Sequence, residues 1–169
     1  MRTYVMDYQY QTLGPEHAER WRNMRLDGVR QFPMGFLVTP EEVASVSLEM
    51  TKTILNNGTV RAVFDGDDLV GFCGFRPQTL TRIKHRAEIG PFFVDPPYQG
   101  KGAAAFLMDH VIAEARDLGL MQLELFVDTE NGRAITFYER QGFQRQGVHP
   151  GDVLMDGELR DSFLFCMRL

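Results

Sequence analysis

A glycine-rich loop between a predicted strand and a predicted helix holds the residues most suited to chemistry. The apolar run 89–94 ends at a Pro-Pro pair, and residues 99–104, Q-G-K-G-A-A, then open an apolar-periodic stretch. The first N–H groups of a helix lack intrahelical partners, and the helix dipole adds partial positive charge there. Glycine lets the backbone approach a ligand without a Cβ in the way. The loop is therefore predicted to bind a pyrophosphate group.

Two familiar phosphate-binding motifs are possible explanations for this loop. A Walker A loop needs glycine at position 95 and Ser or Thr at position 102, where the chain has Asp95 and Gly102. The run 100–105 does fit the G-x-G-x-x-G/A pattern of Rossmann folds, and Asp128 ends the next predicted strand. In Rossmann folds the first glycine follows the strand almost directly, whereas here residues 95–99 intervene. A dinucleotide-binding oxidoreductase is therefore the weaker alternative.

The first half of the chain is predicted to hold a strand, two helices and a hairpin. Residues 4–11 alternate as a strand does, and a helix is expected from about 14 to 32. Residues 39–42, T-P-E-E, have the N-cap, proline and capping-box pattern of a second helix, which is expected to run to the Asn-Asn-Gly at 56–58. Apolar runs around an Asp-Gly turn within 60–75 predict the hairpin.

The second half is predicted to begin with a strand and a crossover helix. The strand covers 87–94, and its interior Gly90-Pro91 predicts a bulge or a splayed strand, because proline cannot donate to a central ladder. The helix covers about 100–118, and one predicted buried face holds Leu107, Val111, Ala115 and Leu118.

The remaining elements complete an α/β or α+β domain with a mixed sheet. A strand is expected at 121–127, and two more at about 143–148 and 159–168. Residues 131–140 could hold a hairpin turn at Asn-Gly, but the apolar spacing and the following glycine favour a helix.

Composition excludes several classes of partner. The 169 residues are 44% hydrophobic and 24% charged, which predicts one domain with a sizeable core. The formal net charge of −5 argues against nucleic-acid binding, which needs a basic face. No apolar run reaches the roughly 18 residues of a membrane helix, so no membrane association is expected. Cys73 and Cys166 lack metal-type spacing, which predicts free thiols, no metal and a cytoplasmic location.

A third interpretation of the loop rests on two motifs that occur in register. Residues 99–104 have the Q/R-x-x-G-x-G/A pattern of the GNAT N-acetyltransferase superfamily, and residues 131–143, N-G-R-A-I-T-F-Y-E-R-Q-G-F, resemble its second signature. The resemblance is close over 87–143 and extends elsewhere to element order alone. It implies one domain over 1–169 with a mixed, mainly antiparallel sheet of about seven strands, splayed at its central strands and flanked by about four helices.

The resemblance also implies acetyl-coenzyme A as the donor, with no metal. The pyrophosphate would be held by the backbone N–H groups of Gln99, Gly100, Lys101, Gly102, Ala103 and Ala104. Main-chain groups of Phe93 and Val94 would meet the pantetheine arm. Asn131 would hydrogen-bond the coenzyme or orient its helix, and both roles are compatible with N-capping.

Direct transfer through a ternary complex is the implied mechanism. Tyr138 would be the general acid for the leaving thiolate, a role that typically contributes about 10² to 10⁴-fold. Glu88 would be the general base, acting through water. The plainer roles, core packing for Tyr138 and surface charge for Glu88, stay open.

The acceptor is expected to be a small-molecule amine in a groove between residues 25–39 and 149–158. Acids there suit a cationic amine, and arginines suit a carboxylate-bearing one. An amino acid, a polyamine, an aminated drug and a protein N-terminus all stay open. The residues that could line the groove are Arg25, Arg30, Phe32, Met34, Phe36, Asp152 and Asp156.

Two further questions stay open. The first is whether the chain is instead a non-catalytic acyl-CoA-binding module. The second is a homodimer, to which Phe163 and Phe165 of the last strand could contribute, although core packing explains them equally well.

Overall fold

The computed structural model describes residues 6–169, in which seven strands and five α-helices form one mixed sheet with helices on both faces. The predicted first strand began at residue 4, and its first two residues lie outside the described part. The elements in chain order are β1 (Tyr8–Thr12), α1 (Ala18–Gln31), α2 (Pro40–Ser45), α3 (Leu48–Asn56), β2 (Val60–Asp65), β3 (Asp68–Pro77), β4 (Arg86–Val94), α4 (Ala103–Asp117), β5 (Gln122–Asp128), α5 (Gly132–Arg140), β6 (Gln144–Met155) and β7 (Glu158–Arg168).

The strand order β1-β2-β3-β4-β5-β7-β6 confirms the predicted mixed and mainly antiparallel sheet. Among the strands of residues 6–169, only β4 and β5 run parallel, and they pair from Arg86–Gln122 to Glu88–Glu124. Beyond that point both strands continue without pairing with each other, and the register between β3 and β4 shifts beside Cys73. The splay predicted from Gly90-Pro91 is therefore confirmed.

Two hydrophobic clusters cover the two faces of the sheet. The first packs α4 and α5 on the sheet, and it includes Leu107, Val111 and Ala115 of the predicted helix face. The fourth predicted member of that face is wrong: Leu118 is 58% exposed, because the helix ends at Asp117 and Gly119 turns the chain. The second cluster packs α1 and α3 on the other face.

The apolar residues of β7 belong to the core. Phe165 is fully buried, and Phe163 is partly buried and packs against the first cluster. Core packing therefore accounts for both residues, and neither supports a dimer. No helix among residues 6–169 is long and apolar enough to cross a membrane.

The second predicted helix is two helices, so the sheet carries five helices where about four were expected. Its start is as predicted, because Thr39 and Glu42 form a complete capping box. The chain then becomes extended at Val46, and the Ser47 hydroxyl caps α3 by accepting a hydrogen bond from the Met50 N–H at 3.1 Å. Serine competes in this way for backbone donors and favours a new N-cap over helix interior.

A buried ion pair connects α4 to the edge of the sheet. The Arg61 guanidinium on β2 donates to both oxygens of Glu114 on α4, at 2.8 and 2.7 Å, and the Tyr10 hydroxyl of β1 donates to the same carboxylate. The hydrogen bond from Arg61 lowers the pKa of Glu114. Burial acts in the opposite direction and raises that pKa, whereas the hydrogen bond from Tyr10 lowers it further. This network fixes the helix that follows the glycine loop.

Replacing Glu114 should change how stability depends on pH. Because the pKa of Glu114 is lowered in the folded state, its contribution is present above the unfolded value of about 4.3 and is lost as the pH falls through the folded value. Glu114→Gln should lower the free energy of unfolding at pH 7 by about 1–3 kcal/mol. The free energy of unfolding of this variant should also decrease less steeply than that of wild type as the pH is lowered. Urea denaturation between pH 3 and 7 measures both, with the exposed Glu139→Gln as control. Equal acid dependence in Glu114→Gln and wild type would contradict this assignment.

Candidate active site

The glycine loop holds several backbone N–H groups that have no acceptor within residues 6–169. Gly100 and Gly102 have φ of 71° and 90°, which glycine adopts without strain, and α4 begins at Ala103, slightly later than predicted. The N–H groups of Gln99 and Lys101 close turns on Pro96 and Tyr98 at 3.2 and 3.3 Å. The remaining N–H groups have no acceptor among residues 6–169, and they belong to Gly100, Gly102, Ala103 and Ala104.

Side chains brace this loop against β4 and α5. The Gln99 amide nitrogen donates to the Val94 carbonyl at 2.8 Å, and its amide oxygen accepts from Arg133 at 2.7 Å. Arg133 was missed in the sequence, although it lies inside the second signature. Tyr8 also donates to the Lys101 carbonyl at 3.0 Å. Gln99 therefore acts structurally, by holding the loop at the end of the strand.

The splay of β4 depends on close backbone contact with β3. A Cβ added at Gly74 would lie 2.2 Å from the Gly90 carbonyl oxygen, so only glycine fits there. Arg76 donates to the same Gly90 oxygen and to Glu88, both at 2.6 Å. The Glu88 carboxylate thus lies at the last position at which β4 pairs with β5, held by an ion pair.

Tyr138 lies on the opposite side of β4 from Glu88. Its ring makes edge contacts with Phe92 of β4 and Phe143, at centroid distances of 6.4 and 5.9 Å. The residue is 9% exposed, and burial, with a smaller effect of Cys73, raises the pKa of its hydroxyl. The hydroxyl is therefore protonated at neutral pH.

Asn131 caps the helix that carries Tyr138. Its side-chain oxygen accepts a hydrogen bond from the Ala134 N–H at 3.2 Å, which confirms the N-capping role. The Phe143 N–H donates to the Tyr138 carbonyl at 3.0 Å and closes the other end of the helix. Both ends of α5 are thus fixed, and its first turn contacts the glycine loop through Arg133.

The connection between α1 and α2 covers the Glu88 face of the splay. The rings of Phe32 and Phe36 each lie 6.0 Å from that of Phe93. Two residues named for the acceptor groove therefore contact a residue named for the donor site. The predicted arginines are elsewhere: Arg25 lies over the Trp21 ring at 5.2 Å, and Arg30 is exposed at the end of α1.

Arg160 joins the last hairpin to this connection. It donates to Asp128 and Glu130, each at 2.7 Å, and lies 3.2 Å from the Met34 sulfur. The hydrogen bond from Arg160 lowers the pKa of Asp128 against the effect of burial. Asp128, the residue a dinucleotide site would use for a ribose, is thereby committed to an ion pair. No sequence signal identified Arg160.

The arrangement of splay, glycine loop and α5 agrees with sequence comparison. The model of the Acetyltransferase (GNAT) family matches residues 21–143, and the chain belongs to this family. A solved structure described as yncA, a putative acetyltransferase from Salmonella typhimurium with its cofactor acetyl-CoA, superposes with a TM-score of 0.82. It is 15% identical and covers 96% of this chain and 94% of its own, so it confirms the fold.

Two curated relatives are similar in sequence to parts of this chain. A mycothiol acetyltransferase of Propionibacterium freudenreichii subsp. shermanii is 40% identical over 142 residues, covering 76% of this chain and 46% of the relative. Spermidine N(1)-acetyltransferase of Escherichia coli K12 is 33% identical over 92 residues, covering 52% of this chain and 47% of the relative. The chain thus spans less than half the length of these curated relatives.

Substituting Gly74 should destabilise the protein through the splay. The added methyl group of Gly74→Ala meets the Gly90 carbonyl oxygen, which is backbone and cannot rotate away. We expect a loss of about 1–3 kcal/mol in the free energy of unfolding, the range for overpacked sites. Gly147→Ala on β6 is the matched control, because its Cβ meets nothing within 4 Å. Equal stability of the two variants in urea denaturation would show that the contact is not restrictive.

Proposed function

We propose that the protein is an N-acetyltransferase that moves an acetyl group from acetyl-CoA to a small-molecule amine through a ternary complex. The observation that carries the proposal is the set of unpaired N–H groups of Gly100, Gly102, Ala103 and Ala104, beside the opening between β4 and β5. A pyrophosphate on those donors leaves its attached arm free to follow β4 to the opening. Family membership and the acetyl-CoA-bound neighbour support the same assignment.

The donor site is proposed to consist mainly of backbone. Gly100, Gly102, Ala103 and Ala104 supply the N–H groups for the pyrophosphate, while Gln99 and Lys101 shape the loop. Main-chain groups of Phe93 and Val94 line the path of the pantetheine arm. Asn131 keeps its capping bond and meets the coenzyme from α5.

Proton transfers are proposed to occur on opposite faces of the splay. Glu88 takes the proton of the acceptor ammonium through a water molecule, and Arg76 holds its carboxylate in place. The amine lone pair then attacks the thioester carbon, and the carbon–sulfur bond breaks. The Tyr138 hydroxyl, which burial keeps protonated, gives its proton to the leaving thiolate. The attacking nitrogen loses its second proton to solvent as the amide forms, and solvent returns a proton to Tyr138.

The other candidate functions have less support. A dinucleotide-binding oxidoreductase needs Asp128 for a ribose, but Arg160 holds that carboxylate. A non-catalytic acyl-CoA-binding module would not need a buried, protonated tyrosine beside the opening. A cytoplasmic location fits the free thiols of Cys73 and Cys166, and homodimer formation stays a prediction without a supporting surface.

The direct test is release of free coenzyme A from acetyl-CoA in the presence of a panel of amines. The panel includes diamines, amino acids, an aminoglycoside and a peptide with a free N-terminus. Amine-dependent release, with the acetylated amine identified by mass spectrometry, is the expected result. Tight coenzyme A binding without release on any amine would favour the non-catalytic module.

Tyr138→Phe separates chemistry from donor binding. Loss of the hydroxyl removes the proton donor but keeps the ring contacts with Phe92, so kcat should fall about 10²-fold or more. The dissociation constant of coenzyme A should stay within about twofold, because that site is backbone. Tyr10→Phe is the control, since its hydroxyl bonds Glu114 and its loss should lower Tm without lowering kcat. Unchanged kcat in Tyr138→Phe would remove this residue as the acid.

A further inference from the structure

A bulge in β6 brings two polar side chains together on one face of the sheet. His149 pairs with Ser162, and Val153 pairs with Arg160, so β6 contains two more residues than β7 between these two pairs. The bulge is fixed by Gly151, which has φ of 60° and whose N–H donates to Asp161 at 2.8 Å. Residues three apart in a regular strand point to opposite faces, whereas here Asp152 Oδ1 lies 2.8 Å from His149 Nδ1. Bulges commonly re-aim side chains beside active sites.

The pair faces the acceptor side of the splay. The His149 ring lies 5.8 Å from that of Phe126, which is 48% exposed. Phe126 follows Glu124, the last residue of β5 that pairs with β4, by two positions, so its side chain is on the face that also carries Glu88. Because β6 lies two strands beyond β5, His149 and Asp152 are on the far side of Phe126 from the opening between β4 and β5.

These side chains offer several contacts to an ammonium group. Asp152 Oδ1 lies against Nδ1 of the imidazole, so the Nε2 edge of the ring is directed away from Asp152. The second Asp152 oxygen has no partner within residues 6–169. An exposed aromatic face and a carboxylate oxygen together suit an ammonium group. The nearby Arg160 does not oppose this, because Asp128 and Glu130 share its single charge.

We propose that His149, Asp152 and Phe126 bind a second cationic group of the acceptor, which makes the preferred substrate a diamine. One nitrogen reacts at the splay, a short apolar segment crosses the Phe126 ring, and the other nitrogen binds between His149 and Asp152. This specificity rests on the proposed acetyl transfer and narrows it from small amines in general to amines with two cationic ends.

Three acceptors with five carbon atoms each test the proposal. They are 1,5-diaminopentane, 1-aminopentane and 5-aminopentanoate, which end in an ammonium, a methyl and a carboxylate group. Wild type should have the highest kcat/KM for the diamine. Asp152→Asn should lower that value about fivefold or more, the scale of one partly exposed ion pair, and leave 1-aminopentane within about twofold. Asp109→Asn, on the exposed side of α4, is the control with the same loss of charge.

Binding gives a second readout that does not need turnover. Calorimetric titration of 1,5-diaminopentane into coenzyme A-loaded protein should detect binding that Asp152→Asn, His149→Gln and Phe126→Leu each weaken. Parallel losses for the diamine and the monoamine, preference for 5-aminopentanoate, or no diamine binding to the loaded wild type would overturn the inference. Diamine binding without acetyl transfer to any amine would instead contradict the proposed function and leave the recognition site established.

Discussion

The end of pairing between β4 and β5 after Glu88 is the constraint on which the rest of the site depends. Two parallel central strands that part expose backbone N–H and C=O groups, which is costly unless a ligand or solvent satisfies them. The chain enforces this separation from one side. Gly74 lets β3 approach the Gly90 carbonyl, and Arg76 holds the same oxygen together with Glu88. The opening is therefore a property of packing between β3 and β4 and needs no ligand to form.

The opening divides the molecule into a backbone side and a side-chain side. The glycine loop and the start of α4 offer backbone N–H groups. Their use depends on the conformation of the loop and not on the chemistry of particular side chains. On the other face, the aromatic residues of the α1–α2 connection and the last hairpin surround Phe93 and Phe126 with specific groups. Because the two sides are built from different parts of the chain, side chains on one face can change without altering the backbone donors on the other.

Local patterns predicted the features that depend on neighbouring residues. The glycine loop, the capping box at Thr39, the Asn131 cap and the irregularity at Gly90-Pro91 each follow from spacing within a few positions. Contacts between distant segments were not predictable. Arg160 meets Asp128 and Met34 across the fold, and the bulge that joins His149 to Asp152 depends on Asp161 of the next strand. The break between α2 and α3 at Ser47 was not predicted, because the capping box at Thr39 indicated one long helix and the second N-cap at Ser47 was not recognised.

Thermal unfolding with separate additions of acetyl-CoA, coenzyme A and NADH tests which ligand binds at the glycine loop. A ligand that binds only the folded state at about 100 times its dissociation constant adds about 2.7 kcal/mol of stability, which is a readily measured rise in Tm. We expect a rise with acetyl-CoA and coenzyme A and none with NADH. No response to coenzyme A, or a response to NADH alone, would contradict a donor site at the glycine loop and the splayed strands.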